Sequence, residues 1–338
     1  MQELHTKIAR QAASFVMAAF LAGVAAGGAS ATQWTALAGA QSADMGNQAL
    51  AYLPNEFWIH AGDSIRWSFT TGEIHTVTFL KPLQSRPPLN SSTGTFVGCP
   101  GTTPDGSSFN NSACVTSGPS TTGQTYSVSF PSTGNFKLVC LVHSRMTGAI
   151  HVLAPAETLP YDQDFYDRQG NKQTAELLSD AAALGGRGNS DAQQSAANEV
   201  TAGISAILAT GGGSQTTSVM RFLGATSVVR VGDTVEWTNL ATPVFHTITF
   251  GAEPANLMPP SPGVTLDSDG VRHAMISSPT ASVNSGFIGA PNQETVGQPQ
   301  APLDFTRFRV TFTVPGTFNY ICGLHDVLGM IGKIIVHP

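Results

Sequence analysis

The chain has 338 residues, of which 41% are hydrophobic and only 11% charged, with a formal net charge of −6. That length suits two domains better than one, and the acidic balance without a basic patch excludes nucleic acid as a partner. With 35 glycines and 21 prolines and little sustained helical periodicity, turn-rich β structure is expected.

In chain order, residues 1–31 come first. Lys7 and Arg10 precede an Ala-rich apolar run that ends at Ala29-Ser30-Ala31, a small-x-small cleavage pattern. This is the form of a secretory signal peptide; the alternative is a retained anchor, the one condition under which membrane association is expected. A second small-residue site, Ala38-Gly39-Ala40, leaves the cut position open. Export places the mature chain in a periplasmic or extracellular, oxidising compartment. Cys99 and Cys114 flank a Gly/Pro/Asn/Ser loop and are expected to form a disulfide there. Cys140 and Cys322 sit in matching contexts and are expected to stay unpaired, which in such a compartment calls for protection by a metal.

The chain repeats itself. Ile59-His60-Ala61-Gly62-Asp63-Ser64-Ile65-Arg66-Trp67 is echoed by Val229-Arg230-Val231-Gly232-Asp233-Thr234-Val235-Glu236-Trp237. Each reads as strand, Gly-Asp turn and strand, with the Trp in the core. Glu73-Ile74-His75-Thr76-Val77-Thr78-Phe79 is echoed by Val244-Phe245-His246-Thr247-Ile248-Thr249-Phe250. A Pro/Gly turn and a strand then lead into Cys140 and into Cys322, and each copy closes with a strand. Echoes in one order define two copies of one domain, 33–155 and 216–338. Many short strands with Gly/Pro turns make each an all-β sandwich or small barrel. Residues 156–215 differ: they hold most of the net negative charge, read as a solvated acidic face. Gln173–Leu184 and Ala192–Ala209 are helix-competent. Gly185-Gly186 and Gly211-Gly212-Gly213 punctuate them, which predicts a short helical hairpin; a flexible linker is the alternative.

Each copy offers the donor set that electron-transfer copper takes, two imidazoles, a thiolate and a weak axial thioether. In the first copy these are His75, then Cys140, His143 and Met146 on one loop. In the second they are His246, then Cys322, His325 and Met330. A single His on a strand or a single buried Cys is ordinary; the same set given twice is not. Methionine is a poor zinc ligand, which disfavours zinc. Thr76 and Thr247, following the lone histidines, are candidates for holding the ligand loops.

These residues resemble the cupredoxin family of blue copper proteins. His246 with Cys322-x2-His325-x4-Met330 resembles the plastocyanin-type pattern, and His75 with Cys140-x2-His143-x2-Met146 the shorter amicyanin-type loop. The resemblance covers both copies and not residues 156–215. It implies two Greek-key sandwiches, here joined by the partly helical acidic linker that the composition of 156–215 predicts, two type 1 copper ions per chain, and electron shuttling between redox protein donors and acceptors, with no small-molecule substrate. It also implies docking near the second ligand histidine, beside Leu141 and Leu324. Thr76 and Thr247 depart from the family, which has Asn there. The different loops predict different reduction potentials.

Two other functions fit less well. A copper oxidoreductase of the nitrite reductase or oxidase kind needs further copper, yet no His-x-His pair occurs, and Val139 and Ile321 rather than His precede the cysteines. His60, His151 and His273 are the residues left for a type 2 site, with His60 and His151 expected on strands. A copper-buffering module would not need two complete ligand sets.

Overall fold

The computed structural model describes residues 30–90, 95–99, 107–194, 198–242, 244–289 and 303–338. The expected signal segment lies outside the described residues except at its last two positions.

The period-two alternation reads directly into strands. Ser64–Phe69 and Arg307–Phe312 bury every second residue, the signature of a sheet with one face on a core. Trp67 and Trp237 are both fully buried. In the first copy, Gln33–Gln41 pairs antiparallel with Asn47–Leu53 and parallel with Ser64–Phe69, which pairs antiparallel with Thr125–Ser129. The opposing sheet runs Glu56–His60, Thr147–Leu153, Gly134–Val139, Thr78–Phe79, Val115–Thr116. Between the two sheets lies an apolar core that includes Trp67, Phe79, Tyr126, Phe130 and Ile150.

The second copy repeats the plan. Glu199–Thr210 pairs antiparallel with Gly213–Leu223 and parallel with Thr234–Leu240, which pairs antiparallel with Arg307–Phe312. Its opposing sheet runs Thr226–Arg230, Ile331–His337, Gly316–Ile321, Thr249–Phe250, Val283–Asn284, over a core that includes Trp237, Phe250, Phe308 and Tyr320. The turn aspartates close equivalent corners: Asp63 accepts from the backbone of Thr32 and His60 and from Trp34 Nε1, and Asp233 from the backbone of Arg230.

The two copies are continuous. Asn47–Leu53 and Gly213–Leu223, equivalent strands of the two copies, pair antiparallel with Leu50 opposite Thr216 and Ala49 opposite Thr217. This joins one sheet from each copy into a single sheet of eleven strands. An apolar cluster of Leu50 from the first copy with Met220, Ala241, Val244 and Leu328 from the second seals the junction.

The middle segment differs from expectation. In place of a helical hairpin there is one helix, Gln163–Gln194. It begins where Asp162 Oδ1 accepts the backbone N–H of Phe165, the bond of an N-cap. Gly185-Gly186 does not break it: the helix packs along the joined sheet, with Gly185 buried beside Val219, and one turn on a Cβ at Gly188 would stand 2.4 Å from Leu223 Cδ1. Leu177 packs on Ala49, Ala51 and Leu53 of the first copy, and Ala181 on Val219 and Leu223 of the second. Residues expected to form the second helix are instead the strand Glu199–Thr210; two flanking strand partners outweigh the helix propensity of its alanines. Gly211-Gly212 is the turn of the following hairpin, so the boundary expected at 216 falls inside a strand. Among the described residues no helix is long and apolar enough to cross a membrane.

Leu177→Ala removes the side chain by which the helix grips the first copy's strands. It is expected to lower unfolding stability in a urea titration by about 2–5 kcal/mol.

Candidate metal centre

Each copy places its lone histidine on a short bridge at one end of the sandwich. His75 exchanges backbone hydrogen bonds with Ser120 at 2.9 Å, and His246 with Ile288 at 2.9 Å. Each cysteine follows the last residue of a core strand. In the first copy Cys140 N donates to Met146 O at 3.0 Å and Met146 N to His143 O at 3.1 Å, closing a tight loop. In the second, Cys322 N donates to Met330 O at 3.0 Å, the same closure. Its longer loop is taken up by a 3-10 turn, Asp326–Leu328, ended by Gly329 in the left-handed region at φ 90°. The loop difference is therefore absorbed locally, and the closing bond keeps its length.

The side chains converge. The ligand-type atoms of His75, Cys140 and His143 lie within 4.8 Å of one another, as do those of His246, Cys322 and His325, and all six residues are buried. Nδ1 of His75 and Nδ1 of His143 are 3.2 Å apart, and Nδ1 of His246 and Nδ1 of His325 3.1 Å. Cys140 Sγ lies 3.9 Å from His143 Nδ1, and Cys322 Sγ 3.3 Å and 3.6 Å from Nδ1 of His325 and His246. Met146 and Met330 are fully buried on the same loops. Two imidazole nitrogens and a sulfur turned towards one point, away from water, form a donor set that fits a soft or borderline metal ion.

Electrostatics favour the thiolates. Burial alone would raise the Cys140 thiol, but hydrogen bonds and charge from His143 and His75 hold it well below its ordinary value. Cys322 is likewise raised by burial and lowered further by the charge of His325 and hydrogen bonds from His246 and His325. Backbone N–H groups reinforce this: Thr76 and His143 donate to Cys140 Sγ at 3.4 Å, and Thr247 to Cys322 Sγ at 3.3 Å. Burial works against protonation of His143, yet hydrogen bonds to Cys140 and Glu73, together with their charges, push it up to about 9. His325 is pushed up to about 10 against the same opposition, chiefly by Glu73 and Cys322.

The threonines hold the loops as expected. Leu141 N donates to Thr76 Oγ1 at 2.8 Å, and Gly323 N to Thr247 Oγ1 at 2.8 Å. In each copy the residue after the lone histidine is thus tied to the residue after the cysteine.

Several residues at the sites were not singled out from the sequence. Gly39 and Gly203 occupy equivalent irregularities in the strands Gln33–Gln41 and Glu199–Thr210. A Cβ on Gly39 would stand 2.5 Å from His75 Nε2, and one on Gly203 2.3 Å from His246 Nε2; both have positive φ, 83° and 74°. Those two Nε2 atoms are buried with no hydrogen-bond partner among the described residues. The signal was present in Ala38-Gly39-Ala40 and Ala202-Gly203-Ile204, and needed only the two strands to be aligned. Arg86 donates to the carbonyls of Cys140 and Ser144, and Arg221 to Leu328 O and to Asp44 O. Glu73 opens the first copy's His75 motif, where the second copy has Val244. Its carboxylate meets His143 Nε2 at 3.2 Å and His325 Nε2 at 3.1 Å. A carboxylate there holds the proton on Nε2 and leaves Nδ1 as the free donor.

The other expected positions are accounted for. Cys99 and Cys114 form a disulfide with a Cα separation of 5.4 Å. Cys140 and Cys322 are free. His60 Nε2 contacts Glu157 O; His151 contacts Asn135 and Glu56; His273 contacts Asp267 and Thr311. Leu141 is partly buried, and Leu324 is 37% exposed.

A β-sandwich with a buried His, Cys and His set at one end is the architecture of the copper-binding cupredoxins. Residues 39–153 match the family described as copper binding proteins, plastocyanin/azurin family, so the resemblance seen in the sequence is borne out over the first copy. Similar solved structures include an oxidised plastocyanin from Dryopteris crassirhizoma, at 20% identity, 41% of this chain, 99% of that one and a TM-score of 0.21. They include an amicyanin from Paracoccus versutus, at 19%, 37%, 83% and 0.22. A pseudoazurin from Methylobacterium extorquens AM1 matches at 20%, 41%, 72% and 0.18. No curated protein matches the chain.

Gly39→Ala is expected to displace His75 and cut metal uptake at the first site alone, and Gly203→Ala to do so at the second. Titrating copper into each variant, with the other site as internal control, checks this.

Proposed function

We propose that the chain is an electron-transfer protein made of two cupredoxin units, with two type 1 copper ions. His75, Cys140, His143 and Met146 hold the first, and His246, Cys322, His325 and Met330 the second. The observation that carries this is the duplication: in both copies two Nδ1 atoms and one cysteine sulfur are buried at one point. Copper, when bound, supplies a one-electron couple, with the thiolate giving the strongest electronic coupling and the thioether tuning the potential. The protein supplies rigidity. Each histidine–cysteine junction is tied by a threonine, each ligand loop is closed by a Cys-to-Met backbone bond, and both sites grow from sheet ends. A site that does not rearrange suits fast one-electron exchange.

The unit boundaries proposed are 33–155 for the first and, including the strand Glu199–Thr210, residues 199–338 for the second. Redox proteins are the proposed donors and acceptors. Export is proposed for the mature chain, and the Cys99–Cys114 disulfide supports an oxidising location.

Copper-loaded protein is expected to be intensely blue, with two coppers per chain by metal analysis and electron paramagnetic resonance. A colourless complex, or one copper per chain, refutes the two-site assignment. Cys322→Ser is expected to abolish the second site's colour and leave the first site's signal intact; loss of both would show that the sites are not independent.

A further inference from the structure

One carboxylate lies between the two sites. Only 8% of the Glu73 side chain is exposed, and its two oxygens are divided between the copies: Oε1 lies 3.2 Å from His143 Nε2, and Oε2 lies 3.1 Å from His325 Nε2. Each imidazole turns its other nitrogen, Nδ1, into its own site. The equivalent position of the second copy is Val244, buried in the apolar cluster at the junction with Leu50, Met220, Ala241 and Leu328. The bridge is therefore built from one side only.

The surroundings fix its geometry. The strands Asn47–Leu53 and Gly213–Leu223 pair across the junction. Arg221 ties Leu328 O of the second ligand loop to Asp44 O of the first copy, at 2.6 Å each. Gly72, next to Glu73, lies so close to Leu328 that a Cβ there would be 2.7 Å from its Cδ2.

Burying a carboxylate is costly unless strong hydrogen bonds compensate it, and here two imidazole N–H groups do so. Holding one histidine tautomer needs only a carbonyl or a carboxylate local to that site. Sharing one carboxylate does something separate carbonyls would not: it makes an unbroken path of covalent and hydrogen bonds from one imidazole to the other.

We propose, resting on the two-copper function above, that Glu73 is the bridge through which the two sites exchange electrons inside one chain. In the step, one electron leaves one site and arrives at the other; the first is oxidised and the second reduced by the same electron. No covalent bond forms or breaks, and both Nε2 protons stay on their rings. Glu73 acts through His143 and His325 and is a positioning residue.

The test uses the full copper-loaded chain, given less than one equivalent of a small radical reductant, with each site's spectrum assigned from Cys140→Ser and Cys322→Ser. Redistribution of the electron between the sites is expected at a rate independent of protein concentration. In Glu73→Gln, whose amide can accept from one imidazole but presents N–H groups to the other, and in Glu73→Val, the rate is expected to fall about 10-fold or more on molecules carrying two coppers. A rate unchanged in both variants, or one proportional to concentration in the unaltered protein, overturns the bridge. A second readout needs no metal: in the copper-free chain, the Nε2–H protons of both His143 and His325 are expected as slowly exchanging proton resonances that Glu73→Gln shifts together. Should neither variant fold, the concentration dependence and these two resonances in the unaltered protein decide, and their absence overturns the proposal. A chain that takes up fewer than two coppers overturns the two-copper function and the bridge with it, whereas two blue coppers with Glu73-independent exchange overturn the bridge alone.

Discussion

The antiparallel pairing of Asn47–Leu53 with Gly213–Leu223 is the contact on which the other features depend. A sheet edge presents unpaired N–H and C=O groups and is completed by another strand. When the two edges are equivalent strands running in opposite directions, the contact has the self-complementary form of a two-fold interface. Whatever lies beside the edge in one copy then meets its counterpart in the other. The ligand loops are such neighbours, so His143 and His325 come to a common carboxylate. The same pairing makes a continuous outer face, which Gln163–Gln194 covers with Leu177 on one copy and Ala181 on the other.

This arrangement changes what the family resemblance implies for the ligand histidines. A docking patch was expected around the second histidine of each site, beside Leu141 and Leu324. Leu324 is exposed, but both histidines are almost wholly buried, and their outer nitrogens point to Glu73 rather than to water. The imidazole edges that would face a partner in a single sandwich here face each other.

Much of this was legible in the chain. The strand alternation, the buried tryptophans and the gathering of His75 with Cys140 and His143, and of His246 with Cys322 and His325, follow from short-range patterns whose meaning does not depend on distant partners. What escaped was set by tertiary contacts. Glu73 has no echo, since Val244 stands in its place, and its partners lie on two distant loops. Ala192–Ala209 contains alanines that suit a helix, and only the neighbouring strands Gly213–Leu223 and Thr234–Leu240 make Glu199–Thr210 extended. Gly185-Gly186 looks like a breaker in the sequence, but packing on the joined sheet, with Ala181 against Val219 and Leu223, carries the helix through it. The glycines beside His75 and His246 belong to equivalent hairpins, and the second of these lies in residues whose alanine and glycine content reads as linker.

A residue on a two-fold axis can serve both halves, but identical halves must contribute it in even numbers. Two identical single-sandwich chains associating along these edges would bring either a pair of glutamates to the junction, two negative charges in one buried space, or a pair of valines and no acceptor at all. Joining the sandwiches in one polypeptide frees the two positions to differ, so that one charge can answer two histidines. The covalent connection thus provides a stoichiometry at the junction that symmetric association of identical subunits forbids.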